Sequence, residues 1–169
     1  MAMATKRLAA EFKELCRTTT DGLVAGPLSD DDLFRWEALI MGPEGTPYEF
    51  GVFRAILTFP TTYPMKPPKM VFTTPITHPN VYGEGARRGE VCISILHAPG
   101  EDRFGYEKSY ERWTPVQSIE KVLLSVISML AEPNAESPAN IDAAKLWRDD
   151  RASFDAVVRA EARRSLGLA

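Results

Sequence analysis

The sequence predicts an α+β fold: an N-terminal helix, a four-stranded antiparallel meander sheet, a long irregular active-site segment, then a central helix and two C-terminal helices. Three observations carry this. Apolar residues recur at helical spacing near both ends of the chain. They alternate with period two between residues 23 and 74, and over 75–112 no period is visible.

Each element can be justified in turn. Over 4–17, Leu8, Phe12, Leu15 and Cys16 fall on one helical face, with Lys6, Arg7, Glu11, Lys13 and Glu14 opposite. That face points Cys16 toward the core as a small buried hydrophobe. The stretch from Gly22 to Gly26 supplies a first strand. Phe34, Trp36, Ala38 and Ile40 alternate with Arg35, Glu37 and Leu39 in a second, half-buried one. Residues 42–47 are dense in Gly and Pro and read as a turn. Val52 to Phe59 forms the third strand and Met70 to Thr73 a short fourth. Short strands joined by tight turns favour an antiparallel meander over parallel βαβ units.

Helical order returns after residue 112. Thr114 and Gln117 have capping-box spacing, with Pro115 at the first helical position. This predicts a helix start ahead of Ile119, Leu123, Val126, Ile127 and Leu130, whose strongly apolar run makes the helix central. Pro133 stops it. A shorter helix follows Pro138, and Phe154, Val157 and Val158 mark a last one that ends at Gly167. Residues 4–168 read as a single domain without repeats or linkers.

Composition narrows the function classes. The 169 residues are 44% hydrophobic and 25% charged, with a net charge of −3, values ordinary for a soluble domain. A nucleic-acid binder would carry an excess of Lys and Arg, so that class is disfavoured. No apolar run approaches the roughly 20 residues a bilayer span requires. Nothing at the start resembles a secretory leader, so cytosol or nucleus is expected, with Cys16 and Cys92 as free thiols. Two Cys and two His without a C-x-x-C or H-x-x-x-H pairing give no metal site, and no cofactor is indicated.

The aperiodic segment is the place to look for chemistry, because structureless stretches of this length in compact domains are usually functional. It holds Cys92 and both histidines, His78 and His97. A thiol nucleophile ordinarily needs a base, and either histidine is close in sequence. Neither has a carboxylate orienter at a recognisable spacing, which leaves a Cys–His hydrolase without its third group.

The flanks of Cys92 add a pattern. Tyr63-Pro64-Met65-Lys66-Pro67-Pro68-Lys69 and His78-Pro79-Asn80 precede it, and Trp113-Thr114-Pro115 follows it. Together these resemble the ubiquitin-conjugating (E2) enzymes, over nearly the whole chain. Cys-Ile-Ser-Ile-Leu-His-Ala-Pro-Gly at 92–100 and Ser-Met-Leu-Ala-Glu-Pro-Asn at 128–134 are similar to the G2/Ubc7-type members, as is the insertion over 97–112.

The resemblance implies an acyltransferase that takes ubiquitin from an E1 as a thioester on Cys92. With a RING-type E3 ligase it would pass ubiquitin to a lysine and build degradation-type chains. It implies that Asn80 donates to the developing oxyanion, where one lost donor typically costs about 10²–10³ in rate. His78 and Pro79 would support the site and His97 would border its entrance. Glu101, Asp102, Glu136 and Ser137 would lie where the acceptor amine arrives, with carboxylates able to orient it or take its proton. Lys6, Arg7, Pro64, Met65, Pro115 and Val116 would form the ligase-binding surface. The G2/Ubc7-type branch is linked to endoplasmic-reticulum-associated degradation. Residence at the cytosolic face of that membrane would come from a bound recruiter, since nothing predicts direct insertion.

The rival readings are a conjugating enzyme for another ubiquitin-like modifier, a non-catalytic E2-like binding module, and a cysteine hydrolase. One departure from the pattern matters. Cys92 follows Asn80 by twelve positions, whereas the family usually places it eight after. The excess falls in Gly83-Glu84-Gly85-Ala86-Arg87-Arg88-Gly89-Glu90. If this stretch bulges outward, both ends keep their places, because loop length costs little free energy. If it does not, Asn80 and Cys92 are pulled out of register.

Overall fold

The computed structural model describes residues 2–98 and 111–168. Its elements are α1 (Ala2–Leu15), β1 (Leu23–Ser29), β2 (Asp32–Met41), β3 (Val52–Thr58), β4 (Lys69–Phe72), α2 (Ile119–Ala131), α3 (Ile141–Asp149) and α4 (Arg151–Ser165). The strands pair antiparallel in the order β1-β2-β3-β4, the expected meander.

Register explains why one face of the sheet is the core. Trp36 pairs with Leu57, which pairs with Met70, and Ala38 pairs with Ala55, which pairs with Phe72. All six side chains are buried, so alternation in each strand places its apolar set on the same side. Ala4 and Leu8 of α1 are buried, and Phe12 packs edge-on against Trp36 at 5.6 Å between ring centroids. Val122, Leu123 and Val126 of α2 are fully buried in the same cluster. Truncating one such side chain to Ala costs about 2–5 kcal/mol.

Two expectations are corrected. Cys16 is exposed. Helix α1 ends at Leu15, and the turn that follows, with the N–H groups of Arg17 and Thr18 donating to Glu14 O, carries Cys16 beyond the last packed residue. The capping box at Thr114 is not the helix start either. Gln117 N does donate to Thr114 O at 3.0 Å, but this closes a turn. Helix α2 begins at Ile119 with Ser118 as its cap, the Ser118 hydroxyl accepting from Lys121 N. The intervening carbonyls of Pro115 and Gln117 are used instead by Arg7 of α1, at 3.1 and 2.8 Å.

The last helix behaves as expected. Gly167 sits just beyond it at φ +72, the left-handed conformation that glycine adopts without penalty at a helix C-terminus.

Candidate active site

The long segment after β4 is held by a short ladder. Val91 N donates to Met70 O and Cys92 N to Asn80 O, both at 2.9 Å, and Val81 bridges Val91 antiparallel. Val91 and Ile95 are buried on either side of Cys92, whose own side chain is half-buried. The sulfur therefore sits on a fixed backbone without being sealed in the core.

A 3-10 turn over Ser94–Leu96 then swings His97 back. Its Nε2 lies 3.5 Å from Cys92 Sγ, and Trp113 N donates to its carbonyl at 3.2 Å, joining the two ends of the 97–112 stretch. Glu101 and Asp102 fall outside the described residues.

His78 has a different place. It is fully buried, its Nδ1 accepts from Asn80 N at 2.9 Å, and its Nε2 meets Met129 O at 2.8 Å. Since Nδ1 accepts, the proton sits on Nε2 and donates to the carbonyl of α2. Burial lowers its pKa to about 4, against an opposing pull from the Met129 bond. His78 is thus a neutral post between the Asn80 turn and α2. Pro79 is buried as well, and its carbonyl accepts from Ala139 N and Asn140 N at 2.9 and 3.0 Å, which ties the same turn to the start of α3.

Asn80 is buried and its side chain is doubly engaged by Asn134. Its Nδ2 donates to Asn134 O and its Oδ1 accepts from Asn134 N, each at 2.9 Å. One amide hydrogen is used in this way, and an Asn amide carries two. Asn134 in turn accepts from Glu136 N at 3.1 Å through Oδ1, so the exposed Glu136 and Ser137 follow directly from the Asn80 brace.

Residues 83–88 bulge outward, while Gly89 and Glu90 stay bonded to β4 and Tyr82. Tyr82 N donates to Glu90 O at 3.0 Å and Gly89 N to Tyr82 O at 2.8 Å, so both ends stay in register. Gly89 is required there: its φ is +82, and a Cβ would lie 2.3 Å from Phe72 O. Residues 83–88 are exposed, with a 3-10 turn at Gly85–Arg87.

The residues expected to meet a ligase lie on adjoining pieces of the surface. Lys6, Met65 and Val116 are exposed. Arg7 is half-buried and engaged by the Pro115 and Gln117 carbonyls, and Pro64 O accepts from Trp113 Nε1 at 2.8 Å. Glu11 fixes the group: Oε1 accepts from Arg7 and from the Tyr63 hydroxyl, both at 2.6 Å, and Oε2 accepts from Ile119 N at 2.6 Å.

A model of the family described as "Ubiquitin-conjugating enzyme" matches residues 7–162. The chain belongs to the ubiquitin-conjugating enzyme (E2) family. It is 61% identical over 165 residues to ubiquitin-conjugating enzyme E2 G2 of Bos taurus, covering 98% of each chain. It is 60% identical over 165 residues to the Homo sapiens protein of the same name, again covering 98% of each. It is also 58% identical over 167 residues to ubiquitin-conjugating enzyme E2-18 kDa of Schizosaccharomyces pombe, covering 99% of this chain and 98% of that one.

Membership in the E2 family bears on the hydrolase reading. That reading wanted a thiol–base pair, and Cys92 with His97 supplies a thiol–imidazole contact. The family match over nearly the whole chain decides for transfer chemistry nonetheless. Tyr82 and Asn134 were not singled out from the sequence. Tyr82 stands two residues from Asn80, which is same-face spacing in a ladder, but a glycine-rich charged stretch after it hides the ladder. Among the described residues no helix is long and apolar enough to cross a membrane, and no cluster of ligands for a metal is present.

Proposed function

We propose that this E2 enzyme accepts ubiquitin on Cys92 and delivers it to a lysine amine. The incoming carboxyl terminus arrives already activated as an E1 thioester, so exchange requires a reachable thiol rather than a strong base. The Cys92 thiol loses its proton to solvent and its sulfur attacks the carbonyl carbon. A new C–S bond forms, the C–S bond to E1 breaks, and the E1 sulfur departs with that electron pair and takes a proton from solvent. In the second step the lysine amine attacks the same carbon and the Cys92 sulfur leaves as thiolate.

One observation supports this most directly: a half-exposed thiol stands on a ladder whose opposite residue, Asn80, is immobilised by Asn134. With one amide hydrogen committed to Asn134 O, the other is the donor we assign to the oxyanion. Preorganised donors of this kind are effective because they do not reorient during reaction. His97 borders the sulfur, and Glu136 and Ser137 stand beside the path of the amine.

Lys6, Met65 and Val116 are assigned as contacts for a RING-type ligase, with Arg7, Pro64 and Pro115 shaping the surface beneath them. Ubiquitin rather than another modifier is favoured because the relatives bear that name. Degradation-type chains, and a recruiter at the cytosolic face of the endoplasmic reticulum, are part of the same reading.

The test is incubation with E1, ATP and ubiquitin followed by a non-reducing gel. A single dithiothreitol-sensitive adduct that is absent in Cys92→Ala supports the reading. Failure to charge with ubiquitin, but charging with another modifier, would shift it to that modifier. Failure with all of them would leave the binding-module reading.

A further inference from the structure

Arg87 lies in the stretch that sets this chain apart from the family pattern, and the fold brings it back to the active site. The bridge between Val81 and Val91 puts Asn80 opposite Cys92 and Tyr82 opposite Glu90. With side chains alternating across a ladder, Asn80, Tyr82, Glu90 and Cys92 share one face, with Tyr82 diagonal to Cys92. An aromatic side chain reaches across such a diagonal.

The contacts follow that placement. Arg87 donates from Nη1 to the Tyr82 hydroxyl at 2.7 Å, and its guanidinium stands 3.9 Å from the ring centroid. Arg87 also pairs with Glu90, and Lys69 of β4 pairs with the other Glu90 oxygen at 3.0 Å. The guanidinium is therefore held from both sides although half its side chain is exposed. Burial raises the Tyr82 phenol above its ordinary value, followed by the charge of Cys92. The Arg87 charge pulls the other way.

We propose that Arg87 is a positioning residue for transfer, holding Tyr82 so that its O–H donates to the Cys92 sulfur as that sulfur leaves. The inference rests on the thioester reading of Cys92. Arg87 donates to the Tyr82 oxygen, which therefore acts as an acceptor toward Arg87 and keeps its phenolic hydrogen for the sulfur. When the lysine amine attacks, the new C–N bond forms, the acyl C–S bond breaks, and its electron pair goes to Cys92. Tyr82 stabilises that pair by hydrogen bonding and transfers no proton; the amine's proton goes to solvent. The outward bulge thus supplies a cation behind the donor. Beside this unit Lys69 pairs with Glu90, and His97 Nε2 lies 3.5 Å from the Cys92 sulfur.

The test uses the full chain in a Cys16→Ser background with Tyr82→Phe, Arg87→Met, Arg87→Lys and the Tyr82→Phe/Arg87→Met double variant. Iodoacetamide alkylation of Cys92 is followed from neutral to alkaline pH, alongside single-turnover discharge of the ubiquitin adduct to free lysine. We expect Tyr82→Phe to slow both alkylation at neutral pH and discharge about tenfold, and Arg87→Met about threefold, as for loss of a hydrogen bond to a charged group. Alkylation rates converge at alkaline pH, where the sulfur is ionised in every variant. Arg87→Lys keeps part of the effect, and the double variant is no slower than Tyr82→Phe, because Arg87 acts through that hydroxyl. An alkylation profile unchanged in Tyr82→Phe overturns the proposal. So does a further loss from Arg87→Met when Tyr82 is already Phe. Alkylation needs no ubiquitin, so it reports on the relay even where charging fails.

Discussion

The side-chain amide of Asn80 and the backbone of Asn134 hold each other twice, N–H to carbonyl in both directions at 2.9 Å. This pair links the turn before the ladder that carries Cys92 to the loop after α2. Asn80 therefore braces this loop, and the oxyanion role proposed for it has to be measured apart from that bracing.

Asn80→Ala removes both bonds and the assigned oxyanion donor. Charging of Cys92 is expected to stay near wild type while discharge to free lysine falls by about 10² or more. Asn80→Asp keeps an acceptor for Asn134 N but sets a buried carboxylate oxygen against Asn134 O, so its melting temperature should fall along with discharge, and charging of Cys92 is the readout that separates bracing from catalysis. Equal loss of charging and discharge in both variants would assign Asn80 to bracing alone.

His78 makes stability depend on pH. Its folded pKa is about 4 against the ordinary 6.5, so below 6.5 the unfolded chain takes up the proton more readily. The neutral form contributes its stability above pH 6.5, and that contribution is lost as pH falls toward 4. A shift of this size corresponds to about 3 kcal/mol across the window. Urea unfolding of wild type should show that slope, and His78→Gln should flatten it at a lower overall stability.

Arg7 and Lys6 are neighbours with different work. Arg7 is engaged with Glu11 and two carbonyls, whereas Lys6 is exposed. Arg7→Ala is expected to destabilise by about 1–2 kcal/mol, lowering the melting temperature by roughly 2–8 °C. Lys6→Ala should leave the melting temperature unchanged and weaken ligase-stimulated discharge. Thermal melts with and without a ligase assay distinguish the two.

The exposure of Cys16 carries a simpler expectation. Cys16→Ala should change stability by less than about 0.5 kcal/mol, as surface substitutions usually do, measured by urea unfolding.

What could be read in advance divides along physical lines. The meander was legible because alternation in residues 34–40 and 52–59 reflects a one-sided sheet, and that pattern is local. The helix face of α1 was legible through Phe12 and Leu15 but overran to Cys16, because periodicity does not say where packing stops. Thr114, Pro115 and Gln117 imitate a helix start. What overrides them is tertiary: Arg7, more than a hundred residues away, takes the carbonyls that a helix would have used. The Cys92–His97 contact depends on a 3-10 turn, and the Tyr82–Arg87–Glu90 group on a ladder between non-adjacent segments. Neither leaves a local signal.

The central claim is chemical and is tested by intact-mass measurement under non-reducing conditions after reaction with E1, ATP and ubiquitin. The account predicts one added ubiquitin, removed by dithiothreitol, retained in Cys16→Ser and absent in Cys92→Ala. An adduct that survives in Cys92→Ala, or that requires Cys16, would contradict it.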